Sequence, residues 1–178
     1  MQLEELIKQN PLSKFHYISG QKALNIYDFE NKTGDWHFSA FWGGEEQKLK
    51  KFSLMGTGEK FNTNPFLGDL GVFEASKNLA LMGKNFNCEI WAANHSRAIS
   101  DIIICNALEE GEVNFFTLYE FDAWFPTAGD KQRVYFYLDL ALKKLSVGLQ
   151  NPVLAWLKKA KEMNFEEVAL GLVINSEE

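Results

Sequence analysis

The stretch Glu89-Ile90-Trp91-Ala92-Ala93-Asn94-His95-Ser96-Arg97-Ala98-Ile99-Ser100-Asp101-Ile102-Ile103-Ile104-Cys105-Asn106-Ala107-Leu108-Glu109-Glu110-Gly111 divides the chain in two. Within it Trp91, His95, Ala98, Ile102 and Cys105 recur at steps of three and four, and Ile90, Ile99 and Ile103 broaden the stripe. That spacing predicts a helix with one apolar face. Gly111 follows as the glycine that ends a helix in the left-handed conformation.

Upstream the period is two. Trp36, Phe38, Ala40 and Trp42 alternate with Asp35, His37, Ser39 and Phe41, the pattern of a half-buried strand. A second run, Ala23 to Phe29, is separated from it by Glu30-Asn31-Lys32-Thr33-Gly34. Together they predict a hairpin over 23–42, in which Ile26 faces Phe38 and Leu24 faces Ala40. Leu49 to Met55 is a third candidate strand, residues 56–71 with Pro65 read as a loop, and Val72 to Met82 fits neither period. Residues 2–9 predict a short helix stopped by Asn10-Pro11.

Downstream the signals are helical. One helix is expected over Thr117 to Phe125. A second starts at Thr127, with a Thr-x-x-Asp capping pattern to Asp130, and closes at Gly148. A third starts with Asn151 as N-cap and Pro152 as first helical residue. Val168 to Ile174 reads as a last strand or a short helix. The expected class is α+β, an N-terminal antiparallel sheet followed by a mostly helical C-terminal half. It is expected as one domain over 1–178, or as two lobes, β-rich 1–87 and helical 88–178.

With 178 residues, 46% hydrophobic and 24% charged, the chain can bury a core without a disulfide or metal staple. On one shared helix, Cys88 and Cys105 would lie about 25 Å apart, against the roughly 7 Å limit of a disulfide. They are therefore expected as reduced thiols in a cytoplasmic protein. No apolar run approaches the ~20 residues of a spanning helix, so no membrane is expected. Met1-Gln2-Leu3-Glu4-Glu5 lacks the basic and apolar regions of a signal peptide.

The net charge of −6 is concentrated. Residues 1–60 and 127–178 each balance to zero, whereas 61–126 hold three basic and nine acidic residues, and no Lys or Arg occurs between Arg97 and Lys131. Such a field repels phosphate backbones and attracts cationic partners, so nucleic acid is not expected as a ligand. The segment 109–125 interleaves Glu109, Glu110, Glu112, Glu120 and Asp122 with Phe115, Phe116, Tyr119, Phe121, Trp124 and Phe125. Six rings cannot all point inward from one short helix, so the segment reads either as rings packed against the sheet and the other helices or as an aromatic surface rimmed by carboxylates.

Catalytic patterns are weak. At 100° per residue His95 and Arg97 point about 200° apart, so His95, Arg97 and Asp101 do not converge on one substrate. Arg97 and Asp101, at i and i+4, are expected to pair on the surface, and His95 to be buried and hydrogen-bonded. His16, His37, His95 and the cysteines show no metal-ligand spacing, so neither metal nor cofactor is expected. Gly56-Thr57-Gly58-Glu59-Lys60 lacks the length and ending of a phosphate-binding loop and reads as a turn. The leading expectation is a small acidic module that binds a basic protein through region 101–122, with Glu109, Glu110, Glu112, Glu120, Asp122 and Trp124 at the contact. In its sharpest form it neutralises a toxic basic enzyme such as a nuclease, as an immunity protein or antitoxin does, by covering the active site. The alternatives are a small hydrolase using His37 and His95, and a structural subunit of a homo-oligomer.

Overall fold

A computed structural model describes residues 11–27, 53–113 and 128–162, the isolated positions 7, 121 and 125, and the helical backbone of 163–174. Along the described chain the elements are β1 (His16–Ile18), α1 (Gly20–Leu24), β2 (Leu54–Gly56), α2 (Asn64–Leu67), β3 (Val72–Glu74), α3 (Ser76–Leu81), β4 (Trp91–Ala93), α4 (His95–Glu110), α5 (Ala128–Leu142) and α6 (Val147–Ile174). The class is α+β, with the long helices in the C-terminal half.

The four strands form one mixed sheet in the order β2-β1-β4-β3. β1 pairs antiparallel with β2 (His16 opposite Gly56) and parallel with β4 (Ile18 opposite Ala92), while β3 pairs antiparallel with β4. The parallel pair needs a crossover, because tight turns join only antiparallel neighbours; the chain between β1 and β4 supplies it.

α4 is the central helix. Asn94 caps its start, the side-chain oxygen accepting from the Arg97 N–H at 2.8 Å, and Gly111 closes it at φ +71° with its N–H on the Ala107 carbonyl. Every residue from His95 to Ala107 is buried. A helix covered on all sides is a core helix rather than an amphipathic surface one, so the expected single stripe is corrected. α4 is flanked by α1, α5, α6 and β4. Burying Ile99, Ile102, Ile103 and Ile104 contributes about 1.5–3 kcal/mol for each side chain.

Other expectations shift as well. Trp91 to Ala93 form a strand, so the helix starts at His95, and Cys88 lies before β4 rather than on a helix shared with Cys105. Both cysteines are free thiols, Cys88 exposed and Cys105 buried against the Met55 sulfur at 3.8 Å. Ala23 and Leu24 end a helix instead of starting a strand, and 25–27 are not strand. The remainder of the 23–42 hairpin, the 2–9 helix apart from Ile7, and most of 117–125 lie outside the described residues. Of the third expected strand, Leu54 and Met55 are strand, and the 56–71 loop contains α2 with Pro65 at its start. The last helix begins at Val147, not Asn151, and runs through 168–174. Pro152 sits inside it and withholds a bond from the carbonyl of Gly148, an exposed residue.

Val72 to Met82 defeats both periods because a three-residue strand and a six-residue helix share it. Glu74 joins them: its Oε1 accepts from the Ser76 hydroxyl, from the Ser76 N–H at 2.9 Å and from the Ile90 N–H at 3.4 Å. Partial burial raises the Glu74 pKa, but these bonds and Lys77 outweigh it and hold the carboxyl below its ordinary value. A lowered folded-state pKa gives stability that is present above the unfolded carboxyl value and lost as pH falls through the folded one. Glu74→Gln is therefore expected to cost about 1 kcal/mol near neutral pH, after discounting for partial exposure. Urea unfolding should show that cost shrinking as pH drops through the carboxylate range.

Candidate functional site

α4 carries both a charged network in the core and a charged pole at its end, and the two differ in what they can do. At the buried end, Arg97 and Asp101 are both 0% exposed. Arg97 Nε donates to Asp101 Oδ1 at 2.8 Å. The expected surface ion pair is therefore an interior one. Helix geometry brings the pair together as expected, but β1 and the 61–71 segment then cover it.

Every remaining lobe of the pair is taken. Asp101 Oδ1 also accepts from the Thr63 hydroxyl at 2.5 Å, and Oδ2 accepts from Ser19 at 2.7 Å and Tyr17 at 3.1 Å. Arg97 Nη1 donates to the carbonyls of Leu70 at 2.6 Å and Gly68 at 3.1 Å, and Nη2 donates to the Tyr17 oxygen at 2.5 Å and Thr63 at 3.1 Å. The guanidinium also lies 5.1 Å from the Tyr17 ring centroid. Burial lowers the Arg97 pKa, yet Asp101 and Tyr17 more than offset it, so the net shift is upward. Burial, then the Asp101 charge, push the Tyr17 phenol far up. A saturated, solvent-free network of this kind has no lone pair or proton to offer a substrate. Its work is to fix β1, the 61–71 segment and α4 to one another.

His95 is buried as expected, its Nε2 on the Ile26 carbonyl at 2.8 Å. It points away from Arg97 and Asp101, toward the end of α1. His37, its partner in the hydrolase alternative, lies outside the described residues. No group of three His, Cys, Asp or Glu able to hold a metal occurs among the described residues, and no described helix is long and apolar enough to cross a membrane.

At the other end of α4 burial stops at Ala107, and Leu108 to Glu112 are exposed. Glu109 and Glu110 close the last turn and Glu112 follows the left-handed Gly111. The last turn contains no basic residue, and the partial negative charge of a helix C-terminus adds to these carboxylates. Lys60 Nζ lies 2.6 Å from Glu109 Oε1, with the Lys60 side chain 73% exposed. The Gly56–Lys60 segment is thus a turn, with glycines at φ +110° and +90°, that delivers Lys60 to Glu109 and Glu59 to His16 at 2.9 Å.

The expected surface is narrowed in two ways. Asp101 belongs to the core, and the rings of Phe121 and Phe125 face inward, 2% and 4% exposed. Phe121 packs edge-on against Trp156 with centroids 5.0 Å apart and lies 5.9 Å from Tyr135. Glu120, Asp122 and Trp124 lie outside the described residues, so the placed part of the acidic surface is Glu109, Glu110 and Glu112.

Sequence reading missed the burial of Arg97 and the partners of Asp101. The available signal was a charged i, i+4 pair inside an isoleucine-rich helix, where a surface pair would leave apolar side chains around it exposed. Set against protein-family models, characterised proteins and solved structures, the chain matches none of them.

Proposed function

We propose that this chain is a small, acidic, cytoplasmic protein-binding module that receives a basic partner at the C-terminal end of α4. The sharpest form of this reading is neutralisation of a toxic basic enzyme, such as a nuclease, by covering its active site. The observation that supports it is the exposed run Glu109, Glu110 and Glu112 at the negative end of a rigid central helix. A helical backbone already in place spares a docking partner the cost of ordering that segment, and clustered charge of one sign speeds encounter with the opposite sign. Glu120, Asp122 and Trp124 extend the proposed contact through the sequence that follows.

Charge reversal at Glu109, Glu110 and Glu112 tests the proposal. Immobilised wild-type chain is expected to retain basic proteins of its native host, released by salt, and the triple Lys variant to lose them. A neutral or acidic eluate, or an unchanged one from the variant, contradicts it. The hydrolase reading has less support, because the His95 ring is engaged by a backbone carbonyl in the core.

A further inference from the structure

We propose that the cavity between the segment around Pro11 and the loop entering β4 is a binding site for a small primary amine with an apolar tail. The cavity measures about 710 Å³, within the range of small-ligand pockets. Ile7, Pro11, Leu12 and Phe86 supply its apolar wall, and Cys88 and Glu89 stand on its polar side. The other described lining residues are asparagines, so among the described residues Glu89 is the one that brings a charge to it.

The carboxylate is exposed and has a partner on β4. Its Oε2 accepts from the Trp91 indole N–H at 3.3 Å. The same indole has the ammonium of Lys14 5.5 Å from its ring centroid, and that ammonium lies 3.9 Å from Asp69. An apolar wall of alkyl and phenyl groups beside the Glu89 carboxylate complements a molecule with a hydrocarbon body and one ammonium head. An alkyl carboxylate would meet repulsion from Glu89, and an alcohol would gain the wall contact without the ion pair.

Cys88 provides the readout, because it is exposed and Cys105 is buried. The full chain is treated with methyl methanethiosulfonate, an uncharged thiol reagent, in the presence of hexylamine, hexanol or hexanoate. Hexylamine is expected to slow Cys88 modification saturably, at a concentration about threefold lower than hexanol, as a partly exposed ion pair implies. Hexanoate is expected to protect least. With each protein's protection expressed relative to its own rate without ligand, Glu89→Gln should bring hexylamine to the level of hexanol. Equal protection by all three compounds, protection by none, or an amine preference that survives in Glu89→Gln overturns the proposal.

Discussion

Asp101→Ala is expected to lower stability by about 3–5 kcal/mol, the range for removing one partner of a buried ion pair. Arg97 stays in place without solvent, its guanidinium facing two backbone carbonyls and two hydroxyl oxygens but no counter-charge. The three hydroxyls of Tyr17, Ser19 and Thr63 lose their shared acceptor at the same time. The double replacement Arg97→Met with Asp101→Leu removes both charges and should regain much of the loss, as apolar pairs of similar volume do in other cores. Recovery should stay incomplete, because the hydroxyls and the Gly68 and Leu70 carbonyls remain buried with fewer partners. Urea unfolding measures both. A loss below about 1 kcal/mol for Asp101→Ala would mean that water reaches the pair, against its zero exposure.

Gly56→Ala is the second large effect. At φ +110° an L-residue is strained whatever space is available, and here the added Cβ would fall 1.9 Å from the Phe15 carbonyl oxygen. That carbonyl is held by the Thr57 N–H at 2.7 Å and by the Asn64 side chain at 2.7 Å, so it cannot retreat without breaking the β1–β2 edge. Backbone strain and overpacking each cost about 1–3 kcal/mol, which sets an expected loss of about 3 kcal/mol or more. Gly58→Ala, two residues on at φ +90° with open space around it, should cost only the backbone strain. Thermal unfolding of the pair separates conformational strain from collision, and equal losses would show that the approach of Phe15 to Gly56 is not as close as described.

What was legible in the sequence follows from where each signal is local. The end of α4 was readable because Gly111 is a backbone requirement. The strands were harder. At three residues each they are too short to display alternation, and Trp91-Ala92-Ala93 happens to continue the spacing of the helix after it. The i, i+4 pairing of Arg97 and Asp101 is local and was readable. Its burial is not, since the cover comes from Tyr17, Ser19 and Thr63, distant in the chain. The acidic site divides along the same line. Glu109, Glu110 and Glu112 are exposed where the buried part of α4 runs out, whereas Asp101, two turns earlier on the same helix, has no part in the surface field. Phe121 turns inward because Tyr135 and Trp156, on two other helices, give it rings to pack against, and Phe125 packs on Phe121 with centroids 5.5 Å apart.

The central claim is that the carboxylates ending α4 receive a cationic protein. Its most direct test is the affinity of a captured basic partner for the wild type and for Glu109→Gln/Glu110→Gln/Glu112→Gln, measured from about 50 mM to about 500 mM salt. The account predicts wild-type affinity that falls steeply with salt and a triple variant that binds more weakly with a shallower slope. Identical affinity and slope for the two proteins would contradict it.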